Sequence, residues 1–227
     1  MAKEKIIMEM NDNYNKDEVE FYVKPFMYIK GFAAGLELKQ TGIALTLARK
    51  LHDGQYRKGG LPYIVHPLQV CSTLISYGMK DDVMLAAALL HDVLEDCQDK
   101  LQGGEEALAK YRISEDTLEI IRLLTKESGL DDYELSIYFK KIEENPKAAM
   151  IKLADRLHNS GTLYTFTLPK MEKYIRETSD FLIPMAGYCK DYYPEYNNAF
   201  ENLEKNISRL NDTMRVMMEK FKTTEAG

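Results

Sequence analysis

One stretch restricts the fold of this chain more than any other. Asp81-Asp82-Val83 leads into Met84-Leu85-Ala86-Ala87-Ala88-Leu89-Leu90, and His91-Asp92-Val93-Leu94-Glu95-Asp96 follows at once. Residues Met84 to Leu90 are all apolar or small. The run falls far short of the ~20 residues that span a bilayer. It therefore predicts a helix buried in protein, with Asp81 capping its N-terminus. An imidazole and three carboxylates directly after such a stretch must be paired, hydrated or metal-bound. If the helix continues unbroken over 81–96, each residue advances about 100° and the four side chains share an arc of about 140°.

The rest of the pattern is helical as well, with no run of alternating strand residues. Helices are expected near 17–37, 41–53, 67–78, 81–96, 104–111, 114–126, 131–144, 146–160, 169–190 and 194–221. Asp131 with Glu134 forms a capping-box pattern. Asn145-Pro146 puts a proline where the first helical turn tolerates it. Gly59, Gly60 and Pro62 mark 57–63 as a loop or turn. Nothing reads as a linker or repeat, so residues 1–227 are expected to form one all-α domain, a bundle of about ten helices. Near the C-terminus, Phe200, Leu203, Ile207, Leu210, Met214, Met217 and Phe221 are spaced three and four apart. This heptad seam fits a helix docked on its own domain or a surface for homo-oligomer formation.

Composition narrows the function classes. The net charge of −6 and the pI near 5.4 argue against a nucleic-acid polymer as partner, which needs a basic face. A small anion held by a metal ion and a few local cations remains compatible with that charge. Cys71, Cys97 and Cys189 are far apart and odd in number, the usage of a reduced, cytoplasmic protein. The opening MAKEKIIMEM lacks the apolar core of a signal peptide, and no segment is apolar enough to imply a membrane.

There are only four histidines, His52, His66, His91 and His158. On its own, His91-Asp92 reads as a solvated helix end. Two further elements change that: Tyr63-Ile64-Val65-His66-Pro67 and Lys152-Leu153-Ala154-Asp155-Arg156-Leu157-His158-Asn159, in which Asp155 and Asn159 share a helical face. Brought together in a bundle, His66, His91, Asp92 and Asp155 supply two imidazoles and two carboxylates. Such a mixed set suits Mn²⁺, Fe²⁺ or Zn²⁺ and leaves positions open for water and a phosphate oxygen. Arg57 and Lys58, without such a context, are simply loop cations.

The order H…HD…D resembles the HD superfamily of phosphohydrolases. The flanking residues ARKLHDGQYRKGGLPYIVHP (48–67), ALLHDVLED (88–96) and IKLADRLHNSGTL (151–163) resemble a narrower group, the RelA/SpoT hydrolase domain and its stand-alone small alarmone hydrolases. The likeness runs from about residue 41 to 190. It implies a metal, usually Mn²⁺, on His66, His91, Asp92 and Asp155. It further implies that Glu95 and Asp96 orient or activate the attacking water, and that Arg57, Lys58 and Asn159 line a nucleotide site. The implied reaction removes pyrophosphate from the 3′ position of (p)ppGpp, leaving GDP or GTP.

Three positions depart from that pattern. Ser160-Gly161-Thr162 stands where many relatives carry an arginine, Leu61 stands for a glutamate, and Cys97 for a threonine. The missing arginine motivates an alternative, an HD-type phosphatase acting on another nucleotide such as the 2′-phosphate of NADPH. A nucleotide-sensing module without catalysis is the third reading. His52 and His158 match no ligand and are expected to hydrogen-bond to residues that do. Arg156 is expected to pair with a buried carboxylate, and Tyr192, Tyr193 and Tyr196 to pack.

Overall fold

The computed structural model describes residues 19–127, 129–162 and 166–225. The opening segment and the first two residues of the expected helix 17–37 lie outside them. A π-helical turn, Val19–Val23, leads into α1 (Lys24–Gly35) and α2 (Lys39–Leu51). Then follow α3 (Val65–Ser76), α4 (Asp82–Leu90), α5 (Val93–Asp96), α6 (Gly104–Lys110), α7 (Glu115–Leu124), α8 (Asp132–Glu143) and α9 (Pro146–Ser160). The chain closes with α10 (Leu168–Glu177), α11 (Ile183–Tyr192) and α12 (Asn197–Glu225). Among the described residues there is no strand, only one isolated antiparallel bridge between Tyr56 and Pro62. No described helix is long and apolar enough to cross a membrane.

The caps expected at Asp81 and Asp131 are present, and Asn145 adds one that was not expected. Asp81 accepts a hydrogen bond from the Met84 amide at 2.7 Å. Asp131 and Glu134 form the reciprocal capping box. Asn145 accepts from the amides of Lys147 and Ala148, with Pro146 opening α9. These contacts satisfy amides that the first helical turn leaves without partners.

Helix α4 is the core of the bundle. Every residue from Met84 to Leu90 is fully buried, against α2, α3, α7 and α9. Helix α9 in turn packs against α3, α7, α8, α11 and α12, so α4 and α9 cross the interior as neighbours. The two chemistry-bearing motifs follow from this packing. One sits at the C-terminal end of α4, the other on the face of α9 that turns toward α3.

Two expectations are corrected. The helix expected over 81–96 is broken at His91-Asp92, where Asp92 has φ −97° and ψ −5° and becomes the cap of the short α5. The sparsely populated backbone geometry at Asp92 re-aims its carboxylate, so the smooth arc computed for a straight helix does not hold. The expected helix 169–190 is interrupted by a π-helical turn, Thr178–Leu182.

The C-terminal seam docks on the domain, but not in strict heptads. Phe200, Leu203 and Ile207 are fully buried. The buried stripe then passes to Asn211, Met214 and Met218, while Phe221 is 49% exposed. A straight α-helix drifts by about 20° per heptad relative to a 3.5-residue repeat, so a stripe facing one flat partner must shift register. Met214 and Met218 meet Met171 and Ile175 of α10 in a small separate cluster. Tyr193 and Tyr196 pack on the Phe200 ring, in keeping with a packing role.

Candidate metal centre

His66 lies in the first turn of α3, His91 and Asp92 at the α4–α5 break, and Asp155 in the middle of α9. Three elements separated by many residues thus deliver four donors to one point. His91 Nε2 stands 3.2 Å from His66 Nε2 and 3.1 Å from Asp92 Oδ1. His66 Nε2 is 3.3 Å from Asp92 Oδ2 and 3.1 Å from Asp155 Oδ1. Donor atoms of His66, His91 and Asp92 all lie within 4.8 Å of one another. Asp155 is offset slightly, with Oδ1 3.9 Å from His91 Nε2. All but Asp92 are buried.

The donor chemistry fits a divalent cation. His91 Nδ1 lies 2.9 Å from the Ala88 carbonyl, which can only accept, so this nitrogen carries the proton and Nε2 of the neutral ring keeps a lone pair. A cation at His66 Nε2 requires its proton on Nδ1, and His158 Nδ1 stands 2.7 Å away to accept it. Burial, with His66 and Arg57 close by, pushes the His158 pKa down to about 3, which keeps that ring neutral. Burial also works against charge on Asp92 and Asp155. Neighbouring groups outweigh it, the His91 and His66 imidazoles for Asp92, Lys152 and both imidazoles for Asp155, and hold both carboxyls below their ordinary range. Two permanent carboxylates facing two imidazole nitrogens form a negative pocket suited to a borderline metal.

Several residues hold this set in place. The Tyr63 hydroxyl lies 2.8 Å from Asp92 Oδ2 and 2.5 Å from Asp96 Oδ2, a single proton shared by two carboxylates. Burial and those two acids raise its pKa and keep it protonated. The Tyr63 ring stacks on His52 at 4.7 Å. His52 departs from the expectation here: its Nδ1 pairs with Gln55 Oε1 at 2.7 Å, and it reaches Asp92 only through the Tyr63 ring. His158 does bond directly to the His66 ring. Asp155 Oδ1 accepts from Asn159 Nδ2 at 2.6 Å, and Lys152 Nζ is 3.5 Å from its Oδ2.

Glu95 and Asp96 sit on α5, one short turn beyond Asp92. Glu95 Oε1 accepts the Lys126 main-chain N–H at 2.5 Å. Burial raises its pKa, and the neighbouring carboxylates add to that, against the Lys126 amide and Lys152. A carboxyl moved upward in this way is better matched to proton transfer near neutrality.

Beside the centre opens a cavity of about 410 Å³, lined by Arg57, Lys58, Tyr63, Asn159, Phe166 and Tyr174 among others. Its near wall is a short hairpin in which the Arg57 amide donates to Leu61 and the Gly60 amide to Arg57. Gly60 has φ +85°, a conformation that costs side-chain-bearing residues strain. The turn presents Arg57 to Asn159, whose Oδ1 accepts from Nη2 at 2.6 Å. Lys58 Nζ lies 5.9 Å from the Phe166 ring centre, and Lys170 lines the cavity 4.2 Å from that same ring. The cavity therefore combines cations with aromatic faces next to a metal-type donor set.

Every site residue expected from sequence falls in this region, and the four donors, Arg57 and Asn159 form one connected set. Tyr63, Lys152 and Lys126 are contributors that motif reading passed over. Tyr63 lay in plain view three residues before His66, but only the fold shows that its hydroxyl meets two acids from α4–α5. Arg156 behaves as expected: its guanidinium pairs with the Glu177 carboxylate inside the protein.

Comparison with known proteins gives the following. Residues 44–187 match the sequence model of the HD domain family. The chain is 34% identical over 145 residues to the guanosine-3′,5′-bis(diphosphate) 3′-pyrophosphohydrolase of Aquifex aeolicus, covering 63% of this chain and 20% of that protein. It is 33% identical over 155 residues to the bifunctional (p)ppGpp synthase/hydrolase SpoT of Escherichia coli, covering 66% and 22%. The chain thus spans about a fifth of the length of these curated relatives. A solved structure of a metazoan orthologue of SpoT, reported to hydrolyse ppGpp and to play a role in starvation responses, aligns with a TM-score of 0.59 at 22% identity. That alignment covers 77% of this chain and 95% of the other, and it shows a shared fold.

Proposed function

The chain belongs to the HD domain family, and from that premise we propose that it is a metal-dependent guanosine-3′,5′-bis(diphosphate) 3′-pyrophosphohydrolase. The reaction would convert (p)ppGpp and water to GDP or GTP and pyrophosphate, in the cytoplasm. The observation that carries the reading is the four-donor cluster of His66, His91, Asp92 and Asp155, joined through Asn159 to Arg57 on the wall of an aromatic and basic cavity. The activity named for the Aquifex and Escherichia relatives supports the choice of substrate.

In this reading His66, His91, Asp92 and Asp155 hold Mn²⁺, or Fe²⁺ or Zn²⁺ in its place. When bound, such a cation supplies positive charge for phosphoryl oxygens and lowers the pKa of water it holds. Glu95 accepts the water proton, for which its raised pKa suits it. Asp96, fixed by Tyr63, orients the water. Arg57 and Lys58 offset the charge of the departing pyrophosphate. Water oxygen bonds to the phosphorus on O3′, the P–O3′ bond breaks, O3′ takes a proton from solvent, and Glu95 returns its proton to solvent.

The test is product identification. Purified protein with Mn²⁺ is expected to release pyrophosphate from ppGpp and leave GDP. Release of orthophosphate alone, or no turnover, rules the assignment out. The second reading, removal of the NADPH 2′-phosphate, is favoured by Ser160-Gly161-Thr162 at the C-terminal end of α9, where many relatives carry an arginine and where Thr162 lines the cavity. It predicts faster turnover of NADPH than of ppGpp in a substrate panel.

A further inference from the structure

One group at the site is held by something outside every motif. Glu95 is met by the main-chain N–H of Lys126, which lies in the segment that leaves α7. That segment departs from helical geometry at Thr125, with φ −65° and ψ 119°. Its start is fastened: the Thr125 hydroxyl donates to the Ile121 carbonyl, and the Tyr138 hydroxyl to the Leu124 carbonyl. Beyond Thr125 the Lys126 side chain fastens the segment, its ammonium 3.1 Å from Glu177 Oε2 at the end of α10 and 6.0 Å from the Tyr138 ring centre, and Leu130 packs on the core further along. Glu177 is itself held by Arg156 of α9. The Arg156 guanidinium lies 3.6 Å from the Tyr174 ring centre, and Tyr174 is a wall of the nucleotide cavity.

We propose that Lys126 is a positioning residue for Glu95: its main-chain amide holds the Glu95 carboxylate, and its ion pair with Glu177 fixes where that amide stands. The inference rests on the functional reading above for the role of Glu95, but its geometry does not. A carboxylate that accepts an N–H is stabilised in its charged form. Without the Glu177 anchor the segment is free to draw the amide away, and Glu95 then holds its proton to higher pH. The arrangement also joins the cavity wall to the proton acceptor through Tyr174, Arg156, Glu177 and Lys126 in sequence. The charged groups facing Glu95 are Lys152 from α9 and Asp92 and Asp96 from its own end of the chain. Those facing the Lys126 ammonium are Glu177, Lys152 and Arg156. Changing Lys126 alone leaves the three charged groups that face Glu95 in place.

The experiment uses the full chain with Lys126→Met, which removes the ammonium and keeps the amide, and Lys126→Arg, which keeps a cation. Lys126→Gln serves as a second neutral variant should the methionine protein melt early. Two readouts are taken: the pH profile of kcat and KM on ppGpp with Mn²⁺, and the ¹³C titration of the Glu95 carboxyl with Zn²⁺, assigned by Glu95→Gln. The neutral variants are expected to lose about three- to tenfold in kcat with KM within about twofold, the scale of one weakened hydrogen bond to a charged group. The acidic limb of kcat and the Glu95 titration midpoint are expected to move to higher pH together, and Lys126→Arg to restore both. An unmoved midpoint, or a loss of kcat that arginine does not restore, overturns the proposal. If the wild-type protein turns over no ppGpp, the functional reading fails, and the carboxyl titration alone still decides whether Lys126 positions Glu95.

Discussion

Replacing Tyr63 by phenylalanine isolates one hydroxyl at the proposed centre. The ring that stacks on His52 and lies 5.9 Å from the Arg57 guanidinium is retained. What disappears is a donor 2.8 Å from Asp92 and 2.5 Å from Asp96. A hydrogen bond to a charged group contributes roughly 1.5–3 kcal/mol, and each 1.4 kcal/mol is about tenfold in an equilibrium or rate. The same range is found when residues that orient metal ligands are removed, about 10–100-fold in affinity or activity. The expectation for Tyr63→Phe is therefore a loss of about 10–100-fold, divided between Mn²⁺ affinity through Asp92 and kcat through Asp96. Calorimetric Mn²⁺ titration reads the first, and initial rates at saturating Mn²⁺ read the second. The far-ultraviolet spectrum should be unchanged. If both constants stay within about twofold of wild type, the hydroxyl does not organise these carboxylates and the account of the centre is wrong.

Further outcomes test other parts of the structure. Arg57→Ala should raise KM for ppGpp by about tenfold or more with a smaller change in kcat, because it removes a cation of the cavity wall and leaves the donor cluster intact. Chelation by EDTA should lower the melting temperature of metal-loaded protein, since a ligand at about 100 times its Kd adds roughly 2.7 kcal/mol to stability. Burial alone would raise the Glu177 carboxyl, but Arg156 and Lys126 outweigh it and hold its pKa below the ordinary 4.5. Its contribution is thus present above about pH 4.5 and lost as pH falls through the folded-state value, and Glu177→Gln should flatten the acid limb of a stability curve. On α12, Ile207→Ala should cost about 2–5 kcal/mol by urea unfolding, whereas Phe221→Ala should cost less than about 1, because only the first is buried.

Local sequence carried local structure. Asp81, Asp131 and Asn145 each open a helix because a short acceptor beside unpaired amides needs nothing beyond its own turn. The run Met84–Leu90 announced a buried helix, since seven apolar side chains in a row leave no polar face. The donors His66, His91, Asp92 and Asp155 were legible through the order and flanks of three motifs. Motif order says which residues meet, and it does not say how.

Tertiary structure decided the rest. The break at His91-Asp92 left only a weak trace in HDVLED: Asp92 and Glu95 have the spacing of a helix start, but the Asp92 side chain makes no cap hydrogen bond and turns to the Tyr63 hydroxyl instead. The C-terminal heptad read as a straight seam in sequence, but docking against one side of the bundle moved it to Asn211, Met214 and Met218. Tyr63 and Lys126 gain their contacts with Asp92, Asp96 and Glu95 from elements distant in sequence, and no spacing rule links them. By itself the sequence determined which side chains are available and which turns they can start. Their meeting, with His66 Nε2 3.2 Å from His91 Nε2 and 3.1 Å from Asp155 Oδ1, belongs to the packing of α3, α4 and α9.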